Sequence, residues 1–296
     1  MVASKRSSFE TSQKGAWISI GTYVALTATK LTVGLLSGSQ AMTADGLNNA
    51  TDVLGSVAVL YGLKVAQRPA DDDHRYGHER AEAVAALVVA TIMGLVSIDV
   101  GIGAARSILS PSHAAPDLWS LWVAIGAAAV MLGVYAYNLN LARICGSRAL
   151  EAAARDNRSD ALTSLGAAAG IIGAQFGWTW ADPLAGLVVA AMIARTAWQI
   201  GREAAHMLMD GFDDLERIRS LRGLVRRVDG VTKVRSLRAR HLGNSVSVDV
   251  TVAVPCHMSV IEAHAVADRV EAVLTAEEDV QEVHVHIEPD ALPNVG

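Results

Sequence analysis

Six stretches of this chain, near residues 14–38, 41–65, 80–108, 117–142, 150–176 and 180–206, are apolar over lengths that would cross a bilayer. A hydrocarbon core of about 30 Å takes roughly 20 residues of helix, so each stretch reads as one span. The hydrophobic share of 51% is high for a soluble protein, and it is concentrated before residue 210. The polar opening MVASKRSSFETSQK runs straight into a stretch of full spanning length, so the first helix is expected to be a retained anchor.

Basic residues set the expected orientation. Lys5, Arg6 and Lys14 precede the first span; Lys64, Arg68, Arg75 and Arg80 lie between the second and third; Arg143 and Arg148 lie between the fourth and fifth. The opposite links, SGSQ, SPSHAAPD and GWTWAD, hold no Lys or Arg. The positive-inside rule then places both termini in the cytoplasm. The net charge of −5 is no argument for nucleic acid, and none is expected as a partner, because the positive charge is placed for topology. Cys145 and Cys256 are far apart and should both meet the reducing cytoplasm, so no structural disulfide is expected.

From about residue 211 the pattern becomes that of a small soluble domain. FDDLERIRSLRGLVRRVDG reads as an amphipathic helix ending at Gly230; VTKVRSLRARHLG and NSVSVDVTVAVP read as strands joined at Gly243-Asn244. SVIEAHAVADRVEAVLTAEE is a second helix and VQEVHVHIEP a last strand. The expected fold is an α-helical membrane protein with six transmembrane helices, followed by a small cytoplasmic α+β domain of order α-β-β-α-β, ferredoxin- or metallochaperone-like. The expected division is a tail over 1–13, the membrane region over 14–208, the cytoplasmic domain over 209–291 and a tail over 292–296. A core of that size would be helped by dimerisation or by a metal.

Paired oxygen ligands occur in two of the membrane stretches. Asn48 and Asp52 are four apart in the second stretch, with Asp45 one turn earlier, and Asp156 and Asp160 are four apart in the fifth. Residues four apart share a helix face, so two such helices side by side offer four oxygens to one spot. Carboxylates inside a bilayer are costly, and a divalent cation is the simplest compensation for three of them. The alternative is a helix-packing network in which these groups bond to one another or to Arg155 and Arg158. With no imidazole or thiolate the set is hard, suited to manganese, magnesium or calcium more than to zinc or copper.

Two weaker constellations follow. Asp71, His74 and His78, in the link PADDDHRYGHERAE, mix oxygen and nitrogen donors that could hold a divalent ion or stand as a solvated loop. In the soluble domain Asp249, His264, His284, His286 and Glu288 form a third set; positions 284, 286 and 288 share one strand face, so His286 and Glu288 can address one ion, or all can be surface residues. Lys30 has two readings, snorkelling or pairing with an acid, and Asp99 is a packing acid or a proton-handling group. No nucleophile–base set and no phosphate-binding glycine loop supports an enzyme.

Taken together, the six spans, ADGLNNATDVLGS, RPADDDHRYGHERAEAVAAL, DNRSDALTS and the α-β-β-α-β tail closely resemble the cation diffusion facilitator family of divalent-metal/proton antiporters, over about residues 10 to 290. The resemblance implies a homodimer in the cell (inner) membrane, exporting a divalent metal against protons, with no cofactor. It implies a transport site at Asn48, Asp52, Asp156 and Asp160, and a second site at Asp71, His74 and His78. Zinc-selective members usually carry histidine at the position of Asp156; its absence here looks like the manganese-exporting branch, with Fe²⁺ or Zn²⁺ as alternative cargo. In the cytoplasmic domain His264 and His286 match family histidines, Glu288 replaces an Asp, Asp249 stands for a His and Arg235 for another, so an altered regulatory metal site is implied. A charged interlock is implied at Arg80 and Asp210. The rival reading is a non-transporting, metal-sensing membrane scaffold.

Overall fold

The structure, a computed structural model, describes residues 21–109, 115–145, 148–242 and 245–291. The two expected tails, the basic residues before the first span, the start of that span and the Gly243-Asn244 turn lie outside the described residues. The chain forms two compact units, one from Met1–Ala58 with Val88–Gly201, the other from Val59–Leu87 with Arg202–Gly296.

Long helices dominate the described residues as far as position 208: α1 (described over 21–37), α2 (Gln40–Ala66), α3 (Ala81–Leu109), α4 (Leu118–Cys145), α5 (Arg148–Gln175) and α6 (Ala181–Leu208). Three of them, α3, α4 and α6, are long and apolar enough to cross a membrane by length and composition, with mean hydropathies of 2.3, 1.8 and 1.4. Among the described residues three spans stand out by that measure, where the sequence stretches lead one to expect six; the start of α1 lies outside the described residues, and in α2 and α5 acids and amides dilute the apolar residues. Helix α4 also runs on to Cys145, past the expected end at 142.

Small residues let the helices of the first unit approach closely, as helices in lipid require. A Cβ at Gly34 of α1 would stand 2.7 Å from the Thr43 backbone nitrogen of α2, and one at Gly170 of α5 would stand 2.7 Å from the Ala185 Cβ of α6. Larger side chains fill what remains: Val33, Met42, Ala124, Ala168 and Ile171 form one buried cluster, and Ala44, Met93, Val189 and Ile193 belong to another. The N-terminus of α2 is capped from outside its own helix. Asp182, buried in the first turn of α6, accepts hydrogen bonds from Ser39 Oγ (2.6 Å) and Gln40 N (2.7 Å). This carboxylate satisfies a donor that α2 cannot satisfy itself and suits the positive end of the helix dipole.

The second unit contains the expected α-β-β-α-β order: α7 (Leu215–Val225), β1 (Lys233–Leu242), β2 (Ser245–Val254), α8 (Val260–Thr275) and β3 (Val280–Pro289). The sheet order is β1-β2-β3; β1 and β2 are antiparallel, and β2 and β3 parallel through the α8 crossover. Val248, Val250 and Val252 alternate onto one face of β2 and pack with Leu221, Val225, Val266, Val270 and Leu274 of the two helices. Helix α8 starts in a capping box, Ser259 and Glu262 each accepting from the other's backbone N–H. Helix α7 ends at Val225, earlier than the expected Gly230. The reason is local: Val228 N–H turns to Val225 O and Val231 N–H to Val228 O, while Gly230 takes a φ of 95° in the turn that leads to β1.

Candidate functional site

The oxygen-bearing residues of α2 and α5 meet through one amide. Asn48 Nδ2 donates to Asp160 Oδ1 across the two helices at 3.1 Å, and along its own helix to Asp52 Oδ2 at a longer 3.4 Å. The helical period puts Asn48 and Asp52 on one face of α2, so a single contact to Asp160 gathers three of the four side chains. Asp160 is buried, Asn48 and Asp52 half-buried, and Asp156 exposed. The Asp156 charge nevertheless lies near enough to act on Asp52 and Asp160. The Asn48 amide thus joins carboxylates of both helices, with Asp156 at the exposed edge of the group.

Helix α1 adds contacts that periodicity in α2 and α5 cannot reveal. Tyr23 Oη donates to Asp160 Oδ2 at 2.5 Å, so both oxygens of this carboxylate are engaged, one from α1 and one from α2. Two turns further along α1, Lys30 is fully buried and paired with the equally buried Asp45 at 2.9 Å. Its ammonium also donates to Asn49 Oδ1 (2.6 Å) and Ser164 Oγ (2.9 Å), and Ser164 Oγ donates to Asp45 Oδ2 (2.8 Å). Of the two readings of Lys30, pairing with an acid is the one observed, and that acid, Asp45, is thereby committed to an ammonium. Asp99 of α3 is exposed. The one signal in the sequence for the α1 contacts was a lysine within an apolar stretch; Tyr23 carried none.

In the second unit the loop after α2 is folded around Asp71. Its carboxylate accepts from His74 N (2.7 Å) and Asp73 N (3.1 Å), and it faces His74 Nδ1 at 3.1 Å and His78 Nε2 at 3.3 Å. Gly77, at a φ of 86°, provides the turn that returns His78 to Asp71. The His74 backbone N–H, acting before the imidazole charges, holds the Asp71 carboxyl below the usual carboxylate range. Asp71, His74 and His78 offer three ligand atoms within 4.8 Å of one another, and among the described residues no other group of three acidic, imidazole or thiol side chains does so. Close by in sequence, Arg80 bonds Asp210 through its guanidinium and donates to Leu208 O at 3.3 Å.

The third set is arranged differently. His284, His286 and Glu288 share the face of β3 turned away from α7 and α8, whereas His264 is exposed on α8, on the other side of the sheet. Asp249 faces Arg240 at 3.6 Å, Glu288 faces Arg235 at 2.7 Å, and His264 faces Asp268 at 3.6 Å. Within one chain Asp249, His264, His286 and Glu288 therefore do not converge on one point. Only the adjacent His286 and Glu288, at 3.9 Å, come near each other.

Comparison with known proteins adds an independent line. The profile of the cation efflux transmembrane domain matches residues 16–209, and that of the cation efflux protein cytoplasmic domain matches residues 213–290. The manganese efflux system protein MneS of Bacillus subtilis is 43% identical over 277 residues, covering 94% of this chain and 95% of its own. The uncharacterized transporter YdbO of the same organism is 44% identical over 278 residues, covering 94% and 96%. The magnetosome protein MamM of Magnetospirillum gryphiswaldense is 29% identical, covering 92% and 86%.

Proposed function

The chain belongs to the cation efflux family, and from that premise we propose that it exports Mn²⁺ from the cytoplasm in exchange for protons, through Asn48, Asp52, Asp156 and Asp160. As a member it is a multi-pass membrane transporter of divalent cations that works as a homodimer. The further reading is a protein of the cell membrane with six spans, both termini in the cytoplasm, a membrane region over 14–208, a cytoplasmic domain over 209–291 and no enzymatic activity. The observation that carries the site is the Asn48 amide bridging Asp160 of α5 and Asp52 of α2.

Manganese is favoured by the hard, all-oxygen ligand set, and by the similarity to the manganese efflux system protein MneS. The exchange follows from the ligands. Carboxylates withdrawn from water stay charged and unpaired only at a large cost, so either a cation or protons must compensate them. Metal binding requires the deprotonated oxygens, and so cation and protons compete for the same atoms. Asn48 cannot take a proton in this cycle; its role is to donate to the carboxylates when the cation is absent and to turn its carbonyl toward the cation when it is present. Asp71, His74 and His78 would hold a second divalent ion on the cytoplasmic side. In the cytoplasmic domain His264, His286 and Glu288 would act in metal regulation only where the two chains of the dimer bring them together.

The test is uptake into proteoliposomes under an imposed pH gradient, comparing Mn²⁺, Fe²⁺, Zn²⁺, Co²⁺ and Cd²⁺. Mn²⁺ should accumulate with counterflow of protons, and Asp52→Ala or Asp160→Ala should abolish it in a folded protein. A scaffold would move no ion, and normal flux in either variant would remove the quartet as the site.

A further inference from the structure

Resting on the quartet as the transport site, we propose that helix α1 forms the third side of that site, with Tyr23 a positioning residue for Asp160 and the Thr27 hydroxyl a further oxygen ligand of the cation. Tyr23, Thr27 and Lys30 are spaced i, i+4 and i+7, so they form one stripe along α1. Each end of the stripe is anchored. Tyr23 Oη bonds Asp160, and Lys30 Nζ bonds Ser164, one turn beyond Asp160 on α5, together with Asn49, the neighbour of Asn48 on α2. Thr27 lies between these two anchors, on the same stripe of α1, so its level along α5 falls between Asp160 and Ser164.

Thr29, Thr163 and Thr275 each donate to the carbonyl four residues back in their own helix, at 2.8, 3.1 and 2.8 Å; Thr43 donates to Ser39 O just before α2 at 2.8 Å, and Thr51 to Asn48 O at 2.7 Å. Thr27 makes no such bond: Thr27 Oγ1 is buried without a hydrogen-bond partner among the described residues. A buried polar atom that forgoes the local bond open to it calls for a ligand. A hard divalent cation such as Mn²⁺ favours six oxygens in octahedral array, and the quartet supplies four side chains. Thr27 Oγ1 supplies a neutral fifth donor without adding charge to be compensated. Tyr23 acts one step back. By holding Asp160 Oδ2, it leaves Oδ1 to exchange its bond with Asn48 for one with the cation, as hydrogen bonds to a ligating carboxylate do in metal sites generally.

The experiment is Mn²⁺ uptake by the full-length protein in proteoliposomes, reading KM and kcat separately for Thr27→Val, Thr27→Ser, Tyr23→Phe and Asp52→Ala. Valine keeps the shape of threonine and phenylalanine that of tyrosine, so each change removes one oxygen. Thr27→Val and Tyr23→Phe should each raise KM by about 10–100-fold with kcat largely kept, and Thr27→Ser, which retains the hydroxyl, should stay close to the parent. Unchanged KM in Thr27→Val and Tyr23→Phe, beside a dead Asp52→Ala, would overturn the role of α1 and leave the quartet standing. Thr27→Ser as impaired as Thr27→Val would make position 27 a packing residue and overturn the ligand assignment. Normal transport by Asp52→Ala would instead remove the quartet on which the proposal rests.

Discussion

Replacing Lys30 with methionine tests whether the membrane helices depend on a buried charge pair. Lys30 and Asp45 are both fully buried, 2.9 Å apart. At that separation their attraction is about 6 kcal/mol for an effective dielectric constant of 20. Removing one member leaves the other charge unpaired out of water, which costs about 3–5 kcal/mol, and Asn49 Oδ1 and Ser164 Oγ lose a partner as well. The paired replacement Lys30→Met with Asp45→Leu removes both charges, and such exchanges are neutral or stabilising by about 1–4 kcal/mol. The double variant should thus regain most of what Lys30→Met loses, a coupling of at least about 3 kcal/mol. SDS denaturation in mixed micelles, followed by tryptophan fluorescence, reads the membrane unit alone, because all six tryptophans, at 17, 119, 122, 178, 180 and 198, precede the cytoplasmic domain. Losses that simply add in the double variant, or a Lys30→Met cost below about 1 kcal/mol, the value of an exposed pair, would refute the pairing argument.

If the proposed quartet binds the cation, Asp156→His places an imidazole one turn from Asp160 on α5 and should raise Zn²⁺ uptake relative to Mn²⁺, since zinc takes nitrogen ligands readily; an unchanged ratio in competition uptake would put selectivity outside the quartet. In the cytoplasmic domain Arg217 chelates Asp279 through Nε (3.0 Å) and Nη2 and meets Glu277 at 2.9 Å, and this hydrogen bonding holds the Asp279 carboxyl below its usual range. A lowered carboxyl value means that the stabilisation is complete above the ordinary Asp value of about 3.9 and is lost as pH falls through the lowered one. Acid melting curves should show this loss in the parent and not in Arg217→Met; parallel curves would leave the pair without a thermodynamic role. Ser259→Ala removes the cap of α8 and should lower domain stability by about 1 kcal/mol in urea denaturation, with no change in m.

The helices and strands were legible because their causes are local. Apolar stretches of bilayer length, period-2 valines in β2 and the Ser259–Glu262 box each declare an element within a few residues of chain, and the four-residue spacing of Asn48 with Asp52 and of Asp156 with Asp160 declares which faces carry oxygen. The end of α7 is not legible in this way: Gly230 reads as a terminator, whereas the chain already turns at Val228.

Contacts between helices were decided only by the tertiary structure. Tyr23 is 137 residues from Asp160, Lys30 134 from Ser164 and Asn48 112 from Asp160, and no periodicity of one segment reports on a partner so distant. So the sequence by itself determined which oxygen-bearing residues of α2 and of α5 share a helix face, whereas packing decided that Asp45 answers to Lys30, that Asp160 is held from both sides and that Asp156 stands exposed. The same limit governs the cytoplasmic domain. Alternation places His286 and Glu288 on one strand face, but only the sheet, lying between them and α8, separates them from His264, because which face a helix covers is settled by where the valines of all three strands are buried together.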